Sequence, residues 1–278
     1  MASLYQRTLS SYTASIKILN MLGTGVKRII FSIYRADVDK HISAPPYKRN
    51  QFRKFKKQII ANHKAYAKLC GADYELFTDV ESNYDIIQFQ KISMIKKLTQ
   101  EYDEVLYLDF DVIINTRVSF FERFDLNTIC AYALEKKHSG FMLRYSTDSD
   151  TWNAMDMYSK ACNKNAMLLL DNIYGSDLII NTGVLGLNKI SANLIDFSEC
   201  TNIFFEAKKD TIYPDVISKR WKPNNEVYLS YLIERYDLPF TNIGLQWNFI
   251  LDNTHKKYSS AAYFHHCVNK DFNLVLSR

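Results

Sequence analysis

The sequence predicts an α/β domain in which a mostly parallel central sheet is flanked by helices. Short apolar runs alternate with longer segments of helical periodicity. Hydrophobic residues make up 47% of the 278 residues and charged residues 23%, which is enough for a sizeable core. Glycine and proline are scarce, with 8 and 5 residues. This scarcity of turn-forming residues argues against an all-β sandwich.

The first half of the chain alternates strands and helices. Residues 29–34 form a short apolar run, and residues 52–69 carry large apolar side chains at helical spacing. Residues 74–78 and 105–108 are predicted strands, separated by a predicted helix at 86–100. Strands joined by helices require right-handed crossovers, so we expect a parallel, buried sheet.

The second half is less regular. We predict helices near 152–170, 192–208 and 226–235. An apolar strand lies within 177–188, and we expect the triplet Asn-Thr-Gly at 181–183 to interrupt it. We expect residues 1–26 to be a helical or irregular extension. Because there is no internal repeat, we expect residues 27–278 to form one domain.

Charge and cysteine content limit the classes of partner. The net charge of +5 is too small to indicate nucleic acid binding, since 35 basic residues are largely offset by 30 acidic ones. Five dispersed cysteines without a CxxC pair indicate reduced thiols in a cytoplasmic protein. Polar residues interrupt the apolar stretch at 16–34, so no transmembrane segment is expected. Peripheral contact with a membrane stays open, and nothing indicates an oligomeric state.

The most informative segment is EVLYLDFDVIINT, residues 104–116. It places Asp109 and Asp111 directly after a buried strand, at the edge where open α/β sheets bind their ligands. Because side chains alternate along an extended chain, both carboxylates face one side and Phe110 faces the other. Hard divalent cations prefer carboxylate oxygens, so the pair predicts a Mn²⁺ or Mg²⁺ site for a diphosphate.

Other interpretations of the Asp pair remain. Two acids at a strand end can simply face solvent. A haloacid dehalogenase also has Asp-x-Asp after a strand, but near the start of its chain and with a downstream Asp-Asp pair that is missing here. A nucleotidyltransferase would favour a glycine-rich phosphate loop after the first strand, and none lies between Ile29 and Lys48. A glycan-binding module without activity would be expected to lose both acids.

Four motifs in this order resemble glycosyltransferases of the GT-A fold. They are DFD, then NTGVLGLNK, then NNEVYLSYL, then FHHCVNK, and the resemblance covers about residues 28–272. The group that the chain resembles contains glycogenin-like enzymes and plant and fungal xylosyl- or mannosyltransferases. The resemblance implies a single GT-A-like domain, a nucleotide sugar as donor and a glycan as acceptor.

A lysine near the nucleotide is the next implication of the resemblance, and Lys91 stands at the matching position. Lys91, Ile95 and Leu98 also share one face of the predicted helix. A lysine in an apolar stripe costs stability unless its ammonium reaches water or an anion. We favour the anion, a diphosphate, over a lysine that reaches solvent.

The middle motifs imply contacts with the sugars. Asn181 and the backbone of Gly183 would face the donor sugar, since an amide offers both a donor and an acceptor; a turn is the alternative. Asn225 and Glu226 stand where the family usually has an acid or amide pair that contacts the donor or acceptor, and an expected Asp is replaced here by Asn. The alternative for them is a helix cap followed by a first-turn acid.

The late motif implies a histidine ligand for the metal and a lysine for the phosphates. His265 is the preferred ligand, His266 is the alternative, and Lys270 is the phosphate partner. The family's usual glycine is missing from this motif. The other residues expected to contact the nucleotide are Tyr34, Arg35, Asp37, Asp79 and Phe110.

These features predict a metal-dependent enzyme that moves a sugar from a nucleoside diphosphate sugar, preferably a UDP-sugar, to a hydroxyl acceptor. A cation and a lysine would neutralise the charge that builds on the leaving group. Retention of configuration is favoured because the nearest look-alikes retain it. For inversion, Glu226 and Asp177 are the candidate bases, and Asn181 completes the catalytic candidates. A nucleotidyltransferase that acts on sugar phosphates is the other alternative.

Overall fold

The computed structural model of the chain describes residues 25–34, 46–78, 84–134, 149–195, 225–251 and 257–277. Almost all of the expected extension 1–26 lies outside the described residues. Three residues expected to contact a nucleotide, Arg35, Asp37 and Asp79, also lie outside them.

The described residues form two β-sheets. The strands are β1 (Arg28–Ile33), β2 (Asp73–Phe77), β3 (Glu104–Leu108), β4 (Val112–Ile114), β5 (Ile129–Ala133), β6 (Ile180–Asn188), β7 (Phe240–Asn242), β8 (Phe249–Ile250) and β9 (Phe264–His266). The larger sheet has the order β2-β1-β3-β6-β5-β7. β1 pairs in parallel with β2 and β3, and β5 with β7, whereas β6 is antiparallel to β3 and β5. The predicted α/β fold with a mostly parallel sheet is confirmed, with β6 as its reversed strand.

Helices cover both faces of the larger sheet. They are α1 (Pro46–Leu69), α2 (Tyr84–Leu98), α3 (Phe120–Arg123), α4 (Ser149–Leu170), α5 (Lys189–Asn193), α6 (Asn225–Arg235) and α7 (Asn273–Leu276). Ile29 and Phe31 pack with α2, α4 and α6, whereas Ile30 packs with α1 and α3. Alternating side chains of β1 therefore enter two separate cores, as expected for a strand that is buried on both faces.

The apolar stripe predicted on α1 is buried along most of its length. Phe55, Ile59 and Tyr66 are buried, but Leu69 is 45% exposed. Leu69 is the last residue of α1, and Gly71, two residues later, has a φ of +61°. The left-handed glycine ends the helix and turns the chain into β2.

The triplet Asn181-Thr182-Gly183 interrupts the pairing of its strand, although the strand itself continues. β6 runs from Ile180 to Asn188, but Ala131 of β5 pairs with Leu185 and the next residue, Tyr132, pairs with Asn181. Thr182, Gly183 and Val184 are therefore the extra residues of an irregularity in β6, and pairing with β3 begins only at Val184. The expected interruption is thus found in the pairing with β5, as the turn preference of these residues suggests.

A small second sheet brings the late part of the chain to the end of β3. β4 is antiparallel to β9, with Val112 paired to His266 and Ile113 to His265, and β8 is parallel to β9. The amide of Cys267 also donates to the carbonyl of Asp111 at 2.9 Å. The second sheet thus places the two histidines beside the turn that carries both aspartates.

Two further features concern the predicted cellular setting. Among the described residues, no helix is both long and apolar enough to cross a bilayer. The cysteines that the structure describes are free thiols: Cys70, Cys130 and Cys267 are buried, and Cys162 is exposed.

Candidate active site

Asp109 and Asp111 lie in the tight turn between β3 and β4. The amide of Asp109 donates to the carbonyl of Gly183 at 2.7 Å, and the amide of Val112 donates to the carbonyl of Asp109 at 2.9 Å. The Asp111 side chain is buried, whereas the Asp109 side chain is 28% exposed. Backbone hydrogen bonds to β6 and within the turn therefore hold both carboxylates at the end of the central sheet.

A histidine completes a cluster with the two aspartates. His266 Nε2 lies 3.5 Å from Asp109 Oδ2 and 3.6 Å from Asp111 Oδ1. One potential ligand atom from each of the three residues lies within 4.8 Å of the other two. Two carboxylates and one imidazole fit the ligand preference of Mn²⁺, and the carboxylates alone also suit Mg²⁺.

The two adjacent histidines are arranged in the opposite way to the preference from the sequence. His265 faces away from the aspartates: its Nε2 lies 3.0 Å from the carbonyl of Ser259, and its ring stacks on Tyr258 at 4.7 Å. Burial lowers the pKa of His265, although the bond with Ser259 opposes this effect. Because side chains alternate along β9, only one of the two can face the aspartates, and it is His266.

Two lysines contact the carboxylates from different sides. Lys91 Nζ lies 3.3 Å from Asp109 Oδ1 and also donates to the carbonyl and the hydroxyl of Thr182, at 3.1 and 3.0 Å. Lys270 forms an ion pair with Asp111. Lys270 has a φ of +65°, which a non-glycine residue rarely adopts. The structure thus brings together Asp109, Asp111, Lys91 and Lys270 from three separate segments of the sequence.

Charged neighbours set the protonation of Asp111. Burial alone would raise the pKa of Asp111, but charged neighbours, the Lys270 ammonium first among them, outweigh it and hold this pKa below its ordinary value. Tyr107 donates its hydroxyl to Asp109 Oδ1 at 2.5 Å, and burial, together with this carboxylate, raises the pKa of Tyr107 well above its ordinary value. Asp111 is therefore ionised at neutral pH, and Tyr107 remains a hydrogen-bond donor.

Asn181 and Glu226 lie beside the cluster and contact each other. Asn181 Nδ2 donates to Glu226 Oε1 at 2.7 Å, and Lys160 pairs with Glu226 Oε2 at 2.6 Å. Asn225 donates its side-chain amide to the hydroxyl of Thr182 at 3.0 Å. The start of α6 is therefore tied to β6 through two side chains, at the same edge of the sheet as the aspartates.

Gly183 lies against the His266 ring. A Cβ atom at this position would come within 2.3 Å of His266 Cε1. The sequence prediction assigned Gly183 a backbone contact with a ligand, and the structure adds that the missing side chain leaves room for the imidazole.

The other predicted residues are spread around the cluster. Tyr34 packs on Phe110 at 4.6 Å and on Phe52 at 5.8 Å, and the ammonium of Lys56 lies over the Tyr34 ring at 4.2 Å. Phe110 is buried in this aromatic group, on the opposite side of the chain from the aspartates. Asp177 is exposed in the loop before β6 and acts electrostatically on Lys164.

Several residues of the site were not predicted from the sequence. Asn248 Nδ2 donates to Asn181 Oδ1 at 2.7 Å, and His266 Nδ1 lies 3.1 Å from Asn248 Oδ1. Tyr107 could have been predicted, because it precedes Asp109 by two residues and side chains two apart on a strand share a face. The sequence contains no comparable signal for Asn248 or Lys160, since both reach the site only through the tertiary fold.

Comparisons with known proteins give a family match and several structural neighbours. The family model described as Glycosyl transferase family 8 matches residues 10–189, more than half of the chain. A search of the curated proteins found no match.

The structural neighbours include a glycosyltransferase involved in the glycosylation of the major capsid of PBCV-1. It has 14% identity and a TM-score of 0.49, covering 90% of this chain and 99% of that chain. Mouse xyloside xylosyltransferase 1 has 9% identity and a TM-score of 0.44, covering 88% of this chain and 98% of that chain. The galactosyltransferase LgtC, in complex with donor and acceptor sugar analogs, has 14% identity and a TM-score of 0.41, covering 87% of each chain.

Proposed function

The chain belongs to glycosyl transferase family 8, and on this premise we propose that it transfers a sugar from a nucleoside diphosphate sugar to a hydroxyl group of a glycan or another acceptor. A UDP-sugar is the favoured donor. The observation that carries the proposal is the cluster of Asp109, Asp111 and His266, whose carboxylates are contacted by the ammonium groups of Lys91 and Lys270. Family membership favours glycosyl transfer over the alternative of nucleotidyl transfer.

The three clustered residues would hold Mn²⁺ or Mg²⁺. Their ligand atoms lie close enough together to share one ion, and the ionised Asp111 needs no deprotonation before it binds. When bound, such an ion would neutralise negative charge on the diphosphate of the donor and of the leaving group. We propose His266, in place of His265, as the imidazole ligand.

Lys91 and Lys270 would bind and orient the diphosphate. Both ammonium groups already lie on the carboxylates that would share the ion, so an anion bound at this point would lie within reach of two fixed positive charges. Such charges stabilise a leaving group more in the transition state than in the ground state, because negative charge grows there as the glycosidic bond breaks.

The surroundings of the acidic residues support retention of configuration. An inverting enzyme needs a carboxylate that can take up the acceptor proton. Both oxygens of Glu226 are engaged, one by Lys160 and one by Asn181. Asp177 lies in the exposed loop beside Lys164. We therefore propose that Glu226 orients Asn181, whose second amide N–H is suited to a sugar hydroxyl.

The nucleoside would lie on the side of the site where β1 ends. Tyr34 is the described residue proposed to contact it, and Phe110 supports the Tyr34 ring. Roles for Arg35, Asp37 and Asp79 in binding the nucleotide stay predictions. We also propose that residues 27–278 form one catalytic domain, and a cytoplasmic location stays a prediction.

A panel of nucleotide sugars tests the proposed function. Hydrolysis or transfer of one UDP-sugar should depend on added Mn²⁺ or Mg²⁺ and should be abolished in Asp111→Asn with the fold intact. Glu101→Gln is the matched control, since Glu101 is an exposed acid outside the cluster. UDP at a hundred times its dissociation constant should add about 2.7 kcal/mol to the free energy of unfolding. No turnover with any donor, or unchanged turnover in Asp111→Asn, would contradict the proposal.

A further inference from the structure

A chain of hydrogen bonds joins the Glu226 carboxylate to the His266 imidazole. Asn181 Nδ2 donates to Glu226 Oε1 at 2.7 Å, Asn248 Nδ2 donates to Asn181 Oδ1 at 2.7 Å, and His266 Nδ1 lies 3.1 Å from Asn248 Oδ1. Asn248 is fully buried and His266 is 5% exposed. Since water has little access to these groups, their hydrogen-bond requirements must be met by one another.

The orientation of the Asn181 amide is fixed by two neighbours, one that can only donate a hydrogen bond and one that can only accept one. The amide N–H of Gly183, which can only donate, lies 3.0 Å from Asn181 Oδ1. The Glu226 carboxylate, paired with Lys160, can only accept. Asn181 must therefore direct its oxygen toward Gly183 and its NH₂ group toward Glu226.

The orientation of the second amide follows from the first. Asn248 faces the oxygen of Asn181, so it must present its NH₂ group there and its own oxygen to His266. An amide oxygen only accepts, so the hydrogen of this last bond lies on His266 Nδ1. In a neutral imidazole the other nitrogen, Nε2, then carries a lone pair.

The nitrogen with the lone pair is the one that faces the aspartates. His266 Nε2 lies 3.5 Å from Asp109 Oδ2 and 3.6 Å from Asp111 Oδ1. Both distances exceed the roughly 2.7–3.2 Å of an N–H···O hydrogen bond. The arrangement suits a nitrogen that binds a cation together with both carboxylates, rather than one that donates to either of them.

We infer that Asn248 is a positioning residue that holds His266 in the tautomer whose Nε2 can bind a divalent cation. This inference rests on the proposed function of the Asp109, Asp111 and His266 cluster. Histidine ligands usually donate their second N–H to a neighbouring acceptor, which fixes the ring and the tautomer. Here the acceptor is the side-chain oxygen of Asn248. Gly183 and Glu226 fix the orientation of the Asn181 amide, and Asn181 in turn fixes that of Asn248.

The tautomer can be measured directly in the wild-type protein without added metal. Nitrogen-15 NMR of protein labelled at histidine separates protonated from unprotonated ring nitrogens, and His266→Gln identifies the signals of His266. In spectra of the neutral ring, obtained by raising the pH, we expect a proton on Nδ1 and none on Nε2. A His266 with its proton on Nε2 would overturn the inference, whatever the behaviour of any variant.

Metal affinity tests whether Asn248 matters for the cation. The probe is Mn²⁺, titrated while the free ion is followed by electron paramagnetic resonance. Asn248→Leu has a similar size but cannot accept a hydrogen bond, and it should bind Mn²⁺ about 10- to 100-fold more weakly. Asn248→Asp restores the acceptor for His266 Nδ1 but loses the donor to Asn181 Oδ1, so it should recover part of that affinity, which a general loss of packing would not explain. Wild-type Mn²⁺ affinity in a folded Asn248→Leu protein would overturn the inference.

Asp111→Asn in the same titration separates the two proposals. If wild-type protein binds Mn²⁺ no better than Asp111→Asn, the proposed metal site fails and the role of Asn248 fails with it. If Asp111→Asn loses the ion while Asn248→Leu keeps it, only the inference about Asn248 fails. Should Asn248→Leu not fold, the wild-type NMR spectrum decides: a proton on Nδ1 supports the inference, and one on Nε2 overturns it.

Discussion

The His266 imidazole lies so close to Gly183 that a methyl group on Gly183 would come within 2.3 Å of Cε1 and 2.5 Å of Nδ1. The ring is thus enclosed by Gly183, by the amide of Asn248 and by the two aspartates. β6 has little room to move away, because Val184 pairs with β3, Asn181 pairs with β5, and the carbonyl of Gly183 accepts a hydrogen bond from the amide of Asp109. A side chain on Gly183 must therefore displace the imidazole.

We predict that Gly183→Ala weakens Mn²⁺ binding on the order of tenfold or more, since the displaced ring loses its alignment with both carboxylates. The measurement is a Mn²⁺ titration, accompanied by urea unfolding to verify that the protein is folded.

Gly186→Ala is the matched control for this substitution. Gly186 lies on the same strand, and a Cβ there would come within 2.5 Å of Phe120 in the core. It should cost about 1–3 kcal/mol of stability through overpacking while leaving Mn²⁺ affinity unchanged. Equal Mn²⁺ affinity in the two variants would show that the His266 ring does not depend on Gly183.

The sequence was sufficient to predict the buried strands and the position of the aspartates. The apolar runs at 29–34 and 105–108 became β1 and β3, because a strand covered on both faces needs apolar side chains at nearly every position. The DFD motif could be placed for the same reason, since a carboxylate marks the point where such a strand leaves the core.

The choice between the two late histidines could not be predicted. His265 and His266 are adjacent, so the face that each one occupies depends on the register of β9 against β4. That register depends on pairing between segments about 150 residues apart in the sequence. The direction of β6 and the arrival of Asn248 and Lys160 at the site depend on the tertiary fold in the same way.

Lys270 combines an ion pair with an unfavourable backbone conformation, and its variants should separate the two. Its φ of +65° is costly for alanine but not for glycine. We predict that Lys270→Gly is more stable than Lys270→Ala by about 1 kcal/mol, as measured by urea unfolding. Both variants should bind UDP more weakly than wild type in the presence of Mn²⁺, because both lose the ammonium group. A Lys270→Ala protein more stable than Lys270→Gly would contradict the prediction on the backbone. Unchanged UDP affinity in both variants would contradict the prediction on the ammonium group.

His63 should make the stability of the protein depend on pH. His63 is fully buried; its Nε2 donates to the carbonyl of Val112 at 2.6 Å, while Nδ1 lies near the hydroxyls of Ser32 and Tyr74. Burial lowers the pKa of His63 to about 4, against the opposing effects of the Val112 carbonyl and Asp111. The folded protein therefore holds His63 neutral at a pH where the unfolded chain already binds a proton.

The sign of this effect follows from proton binding. The unfolded state binds the extra proton as the pH falls through its pKa of 6.5, so stability is present above that pH and is lost down to about pH 4. The loss should approach about 3 kcal/mol. It is obtained by comparing the unfolding free energies of wild type and His63→Gln across this range. Parallel curves for the two proteins would contradict the prediction.

Lys91 should contribute to the rate of the reaction more than to the stability of the fold. Its stem is buried on α2, and its ammonium is held by Thr182 and Asp109 and lies 4.7 Å from the centre of the Tyr107 ring. Lys91→Met keeps the length and the apolar stem but removes the charge. If this charge stabilises the leaving diphosphate, kcat should fall roughly 10²- to 10³-fold, with a smaller change in KM.

Lys97→Met provides the comparison for Lys91→Met. Lys97 is exposed on the same helix, so the same substitution there should leave both kcat and stability close to wild type. Steady-state kinetics with the donor found in the nucleotide-sugar panel, together with thermal unfolding of each variant, distinguishes the roles. If Lys91 had only a structural role, Lys91→Met would unfold at a lower temperature, but its folded molecules would keep the wild-type kcat. That result would remove Lys91 from the reaction and leave the carboxylate cluster and Lys270 as the groups that act on the diphosphate.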